Sequence, residues 1–239
     1  EDNYMNQLKA GKTFATMEFD ARLFCMLNVL TAADPQEMMS DLHRAWRKDG
    51  GNSRTTDFII EHFSDTSGYN LVPYFEEYGL CTSEIVKSRI YEKNYPIANH
   101  FGDHFKDKTS LKEAKDTVGD AVNGLYGLAS TDDMADLNLT GALNVNIQID
   151  DLKQIEGKEV RILDGENEVA AAEITGEKTT FDSLPIGTYR VALPAARGLG
   201  YYTEYMQVTV RDGKTATVDA VYEKNTGNAM KDDAAIVLQ

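Results

Sequence analysis

The residues of this chain that could do chemistry are few, and they begin with four histidines. His100 and His104 are spaced i, i+4, the spacing that puts two imidazoles on one side of a helix for zinc. The residues between them are Phe-Gly-Asp, so no Glu stands in the general-base position, and Gly102 weakens any helix there. A solvent-exposed loop pair fits these residues better, and no metal ligand is assigned beyond this one candidate pair. His62 follows Glu61 and precedes Asp65, a spacing compatible with a His–carboxylate pair but also with simple packing or capping. Glu76 and Glu77 are adjacent, which on a helix points them about a hundred degrees apart, as on a solvated face. Asp132-Asp133 and Asp150-Asp151 read as acidic turns with slight calcium character. No Gly-x-Ser-x-Gly elbow, phosphate-binding glycine loop, dinucleotide fingerprint or Cys-x-x-Cys occurs, so no catalytic residue is expected.

Tyrosines offer a second kind of site. Tyr69 and Tyr74 could line a substrate cleft, although aromatics at helical spacing are more often core. Tyr201, Tyr202 and Tyr205 surround a glycine-rich stretch. Alternation puts Tyr201 and Tyr205 on one face and Tyr202 on the other, so Tyr202 is a candidate platform for stacking on sugar.

The elements that would carry these residues change character along the chain. Residues 17 to 32 predict a helix, with Phe19, Leu23, Leu27 and Leu30 in a stripe widened by Phe24 and Met26, which suggests burial. Asp34-Pro35-Gln36-Glu37 is a helix start with Asp34 as N-cap, and Met38, Met39, Leu42 and Trp46 form its apolar side. Residues 57 to 79 predict two short helices that meet at Gly68, with Asn70 capping the second and Gly79 ending it. Ser83 caps a further helix with Ile85, Val86 and Ile90 inward, and residues 111 to 129 predict a glycine-weakened one. From Leu139 the period becomes two: Leu143, Val145, Ile147 and Ile149 alternate with polar residues. Several such strands with regular turn signals predict an antiparallel sandwich to about residue 224. The fold class is therefore α+β and multidomain: an all-α subdomain over 1–97, a helical connector over 98–138, a β-sandwich over 139–224, and a tail over 225–239.

Two stretches resemble known families. Asp57-Phe-Ile, Ser-Gly-Tyr-Asn-Leu at 67 to 71 and Pro73-Tyr-Phe-Glu-Glu-Tyr-Gly-Leu80 are similar to a block of enhancin-like zinc metallopeptidases, the mucin-degrading gluzincins. The helices through Arg22–Leu27 and Asp41–Arg47 resemble those that lead up to it, so the likeness covers about the first hundred residues. It implies a helical subdomain that closes a catalytic domain lying upstream, zinc in that parent, a mucin-type glycoprotein or glycan as partner, and an extracellular or cell-surface location. The family's His-Glu-x-x-His motif is absent here, so the resemblance implies a non-catalytic part without a cofactor of its own. Phe181-x-x-Leu-Pro-x-Gly-Thr-Tyr-x-Val191 resembles the turn of prealbumin-like and collagen-adhesin B-type sandwiches, where the Tyr and Val face the core. Some of those domains join a first-strand Lys to a last-strand Asn, but strand 143 to 149 has no Lys.

Composition bounds the partners. The 239 residues carry a net charge of −15, and the basic residues are scattered, which argues against nucleic acid and anionic membranes. No apolar run approaches the ~18 residues needed to cross a bilayer. A start at Glu1 without Met suggests an excised or processed piece. Cys25 reads as a buried thiol, and its pairing with Cys81 stays open. The competing readings are a stand-alone adhesin or carbohydrate-binding module, and a hydrolase using His62 or the His100/His104 pair. If the helical part docks onto a larger module, an apolar face near residues 1 to 30 should be exposed.

Overall fold

The computed structural model describes residues 6–7, 9–49, 56–80, 82–119, 127–196, 201–202 and 206–224. Helix α1 spans Phe19–Val29 and continues into a 3-10 turn at Leu30–Ala32. Helix α2 spans Pro35–Lys48 and starts as its sequence dictates: Asp34 accepts from the Glu37 amide at 2.9 Å and Pro35 occupies the first turn. Helix α3, Thr56–Ser67, stops at Gly68, whose φ of +73° suits glycine. Helix α4, Val72–Glu77, begins where Asn70 accepts from the Val72 amide. Helix α5, Glu84–Glu92, is capped by Ser83, and α6, Lys108–Val118, ends at Gly119. The helix expected over 111–129 thus stops well short; residues 120–126 lie outside the described set, and Leu128–Ala129 form a strand instead. None of the described helices is long and apolar enough to cross a membrane.

The helical core collects Cys25, Val29, Met38, Leu42, Ile60, Phe63, Tyr74, Phe75, Tyr78 and Ile90. Three sequence expectations are corrected within it. Helix α1 buries Ala21, Cys25, Asn28 and Val29, so the expected core stripe points outward, with Phe19 at 73%, Leu23 at 46% and Leu27 at 54% exposure. Met39 and Ile85 also face out, while Met38 and Val86 take the inward places. The reason is shared: these segments are apolar on more than one side, and the tertiary packing selects the phase.

Two short strands, β1 (Asn99–His100) and β2 (Leu128–Ala129), pair antiparallel beside the helical core. The sandwich follows. Its strands are β3 (Thr140–Gln148), β4 (Glu159–Asp164), β5 (Asn167–Glu173), β6 (Lys178–Pro185), β7 (Gly187–Ala192), β9 (Met206–Val210) and β10 (Thr215–Val221), with a two-stranded annex of β8 (Tyr201–Tyr202) and β11 (Glu223–Lys224). One sheet has the order β10-β3-β6 and the other β5-β4-β7-β9. All pairs are antiparallel except β3 with β10, which run parallel in unbroken register from Ala142–Thr215 to Gln148–Val221. Leu143, Val145 and Ile147 from one sheet meet Val160, Ile162, Tyr189 and Val191 from the other, as period-two alternation requires. Tyr189 and Val191 are buried as the Pro-x-Gly turn implied, and the Tyr189 hydroxyl donates back to the Pro185 carbonyl at 2.8 Å.

The helical part and the sandwich touch directly. The Tyr91 hydroxyl donates to Gln207 Oε1 at 2.8 Å, and the Asp212 amide donates to the His104 carbonyl at 2.9 Å. Lys106 Nζ lies 3.1 Å from Asp212. A third apolar cluster joins Phe101, Phe105, Ala114, Ala129 and Met134 to Ile186 of the β6–β7 turn. Gly165 turns the β4–β5 hairpin at φ +60°, and a Cβ there would sit 2.8 Å from the Asn94 carbonyl oxygen. Substituting Gly165→Ala combines that clash with a disfavoured φ, and should lower stability by more than about 1 kcal/mol in urea denaturation; unchanged stability would show that the hairpin does not bear on the helical part.

Candidate functional site

The histidine candidates sit at this junction. His100 lies in β1 and His104 ends a single 3-10 turn, Phe101–His104. Both are completely buried, which corrects the expectation of an exposed loop pair. They are covered because β1 pairs with β2 on one side while the β9–β10 turn, about a hundred residues later, closes over the other. No group of three His, Cys, Asp or Glu side chains suited to a metal occurs among the described residues.

The two imidazoles have different surroundings. His100 Nε2 lies 3.9 Å from a Glu77 carboxylate oxygen and 3.5 Å from the Tyr78 hydroxyl, with the Tyr74 ring centroid 5.1 Å away. Among the described residues neither nitrogen of His104 makes a hydrogen bond of good geometry, and the Val210 backbone is its nearest polar contact. Burial pushes His104 down to about 3; the Val210 backbone opposes that, while Arg211 and His100 add to it. His104 is therefore neutral in the folded protein at any ordinary pH. Glu77 is raised to about 7, first by burial and then by Asp103, with Arg211 opposing. Its side chain keeps 32% exposure, so water tempers the shift.

A carboxyl group near neutrality beside an imidazole and a phenol could pass a proton. A reaction also needs a nucleophile or electrophile. The thiol of Cys25 is free, but it is buried and pushed up to about 12 by burial, which keeps it inert. What the arrangement can do is couple charge across the seam between the helices and the sandwich, where Asp103 on the first side and Arg211 on the second act on Glu77 in opposite directions. Sequence spacing paired His100 with His104; it did not reveal Glu77, Asp103 and Arg211 as their neighbours, because Arg211 arrives from the far end of the chain.

The remaining candidates fall elsewhere. Tyr74 is fully buried and donates its hydroxyl to the Cys25 carbonyl at 2.7 Å, so it is core and not a cleft wall. Tyr69 is half-buried, its hydroxyl shifted upward by burial and by the carboxylates of Asp133, Asp132 and Asp164, against a hydrogen bond with Ser130. The backbone of Tyr202 pairs with Glu223; its side chain and the whole of Tyr205 and Cys81 lie outside the described residues. His62 packs edge-on against the Phe58 ring at 4.2 Å, while Glu61 is held by Arg89 and Asp65 by Lys93. Glu76 pairs with Lys87 at 3.0 Å.

These shifts set a pH dependence with opposing parts. Between pH 6.5 and about 3 the unfolded chain binds a proton at His104 that the folded protein refuses, so stability falls as pH falls through that window. Glu77, raised from 4.5 to about 7, and Asp164, raised from 3.8 to about 6, act oppositely: the folded state holds their protons and stability falls as pH rises. Replacing His104→Leu removes the first part, so its stability relative to the parent should grow by about 2 kcal/mol between pH 7 and pH 5. Denaturation curves that stay parallel at the two pH values would contradict a buried neutral His104.

No family model matches the chain, and no curated protein matches it. Similar solved structures include the Bacillus anthracis TIE protein, at 19% identity and a TM-score of 0.29, covering 36% of this chain and 17% of that one. A minor pilin of Streptococcus agalactiae is similar at 19% identity and a TM-score of 0.30, covering 36% and 45% of the two chains. A streptococcal ancillary pilin is similar at 16% identity and a TM-score of 0.27, covering 36% and 33%. This chain thus spans less than half the length of each.

Proposed function

We propose that this chain is a non-catalytic part of a secreted or surface-attached zinc metallopeptidase directed at mucin-type glycoproteins, and that its helical part buttresses a catalytic domain encoded upstream. The observation that carries this reading is the outward ridge of Phe19, Leu23 and Leu27 on α1. The three recur every fourth residue, so they form one continuous ridge of the kind that packs into the groove of another helix. Large apolar side chains set singly on a surface are ordinary, but three in a row on one helix mark an interaction face. The resemblance of the 57–80 block to enhancin-like peptidases supplies the identity of the partner, and zinc belongs to that partner in this reading.

Reading the gene upstream of the Glu1 codon tests the proposal. An in-frame His-Glu-x-x-His with a later Glu is expected; a start codon or signal peptide immediately before Glu1 would overturn it in favour of a stand-alone surface module. Within the chain itself, replacing Phe19, Leu23 and Leu27 together by Gln should leave the thermal midpoint within a few degrees of the parent, because no core contact is lost. It should also reduce binding of a hydrophobic dye. A large fall in midpoint would show that the ridge belongs to the fold and not to a partner.

A further inference from the structure

A small cleft lies in the seam, where the end of α5 meets the sandwich. Asn70, Tyr91, Asn94 and Tyr95 line it from the helical side, and Gly165 and Arg190 from the other. Its volume of about 10 Å³ has room for one water-sized particle. Gly165 keeps the walls close: a Cβ there would lie 2.8 Å from the Asn94 carbonyl oxygen and 3.1 Å from Pro96. Most of the polar groups around the cleft are already engaged elsewhere. The Tyr91 hydroxyl donates to Gln207, the Tyr95 hydroxyl to Asp65 at 3.3 Å, and Asn94 Nδ2 to the Glu92 carbonyl at 3.3 Å.

Two sets of donors remain. Asn70 is 2% exposed, and its Oδ1 accepts from the Val72 amide at 3.1 Å, which leaves the Nδ2 donors of the same carboxamide for the cleft. Tyr189 and Val191 belong to the sandwich core, so alternation along β7 sends Arg190 out toward the helices. Arg190 is partly buried and makes no ion pair among the described residues. It is also the one charged residue of the cleft lining, which contains no carboxylate. A guanidinium carries five N–H donors and no acceptor, and burying its charge without a counter-charge is costly.

We infer that this cleft binds one monatomic anion, chloride or another halide, held between the Arg190 guanidinium and the Asn70 carboxamide. Its size excludes a phosphate, a sulfate or a carboxylate, each of which brings several heavy atoms into room for one particle. Charge favours an anion over water, because donors to an ionised acceptor make the stronger bonds. The ion touches groups of both parts, so it ties the helices to the sandwich. The inference rests neither on the α1 ridge nor on a parent peptidase.

The test is chloride NMR line broadening by the whole chain. The parent protein should broaden the chloride line, and added bromide should reverse this by competition. Arg190→Gln should lower the broadening about ten-fold, with Arg190→Lys in between because charge remains and the fork is lost. Arg89→Gln removes an exposed guanidinium paired with Glu61 and should broaden the line as the parent does. In a second measurement, exchanging sodium methanesulfonate for sodium chloride at equal ionic strength should raise the thermal midpoint of the parent, but not that of Arg190→Gln. Should Arg190→Gln not fold, the parent's midpoint in the two salts still decides. A parent midpoint that follows ionic strength alone, or broadening that Arg190→Gln leaves intact, would overturn the inference and assign the cleft to a water molecule.

Discussion

A hydrogen bond at the centre of the helical core sets the face that the rest of the molecule sees. The Tyr74 phenol donates to the Cys25 carbonyl at 2.7 Å, with both residues shut away from water. A backbone carbonyl has two lone pairs, so Cys25 can accept this bond and still serve its own helix. Left unmade, the buried phenol would cost about 1–3 kcal/mol. With this bond made, the Cys25 side of α1 faces inward, and Phe19, Leu23 and Leu27 face outward. The neighbouring Phe75 and Tyr78 rings, 5.4 and 5.0 Å from Tyr74, fill the space around it.

The same aromatic block reaches the sandwich through His100. Its ring lies against Tyr74, and the strand that carries it leads into the Phe101–His104 turn that receives the β9–β10 turn. Apolar contact through Phe101, Phe105 and Ile186, a polar bond from Tyr91 to Gln207 and the close approach of Gly165 to Asn94 are distributed along the seam. Such a seam transmits position: it holds the sandwich at a set place relative to the α1 ridge. A buttress needs that rigidity.

Local signals in the sequence were reliable wherever one residue did one local job. Asp34 and Ser83 cap their helices, Gly68 and Gly79 end theirs in the left-handed region, and the alternation of Leu143, Val145 and Ile147 names the core face of its strand. Failures came where an element is apolar on several sides or where the partner lies far away in the chain. Phe19, Leu23 and Leu27 looked like core because α1 also carries Phe24, Cys25 and Val29, so periodicity could not choose a phase. The polar run around His100 and His104 looked like a loop, and its burial depends on Arg211 and Asp212, which no local pattern connects to it. The parallel pairing of β3 with β10 is likewise a matter of topology, invisible in either strand alone.

The claim on which the account turns is that the α1 ridge is an interface. Covalent footprinting of Phe19, Leu23 and Leu27 measures it directly, comparing this chain alone with the protein expressed from the full reading frame that contains it. The account predicts heavy labelling in the chain alone and strong protection in the full protein, with the labelling of Ile85 unchanged between the two. Equal labelling of the ridge in both would contradict it.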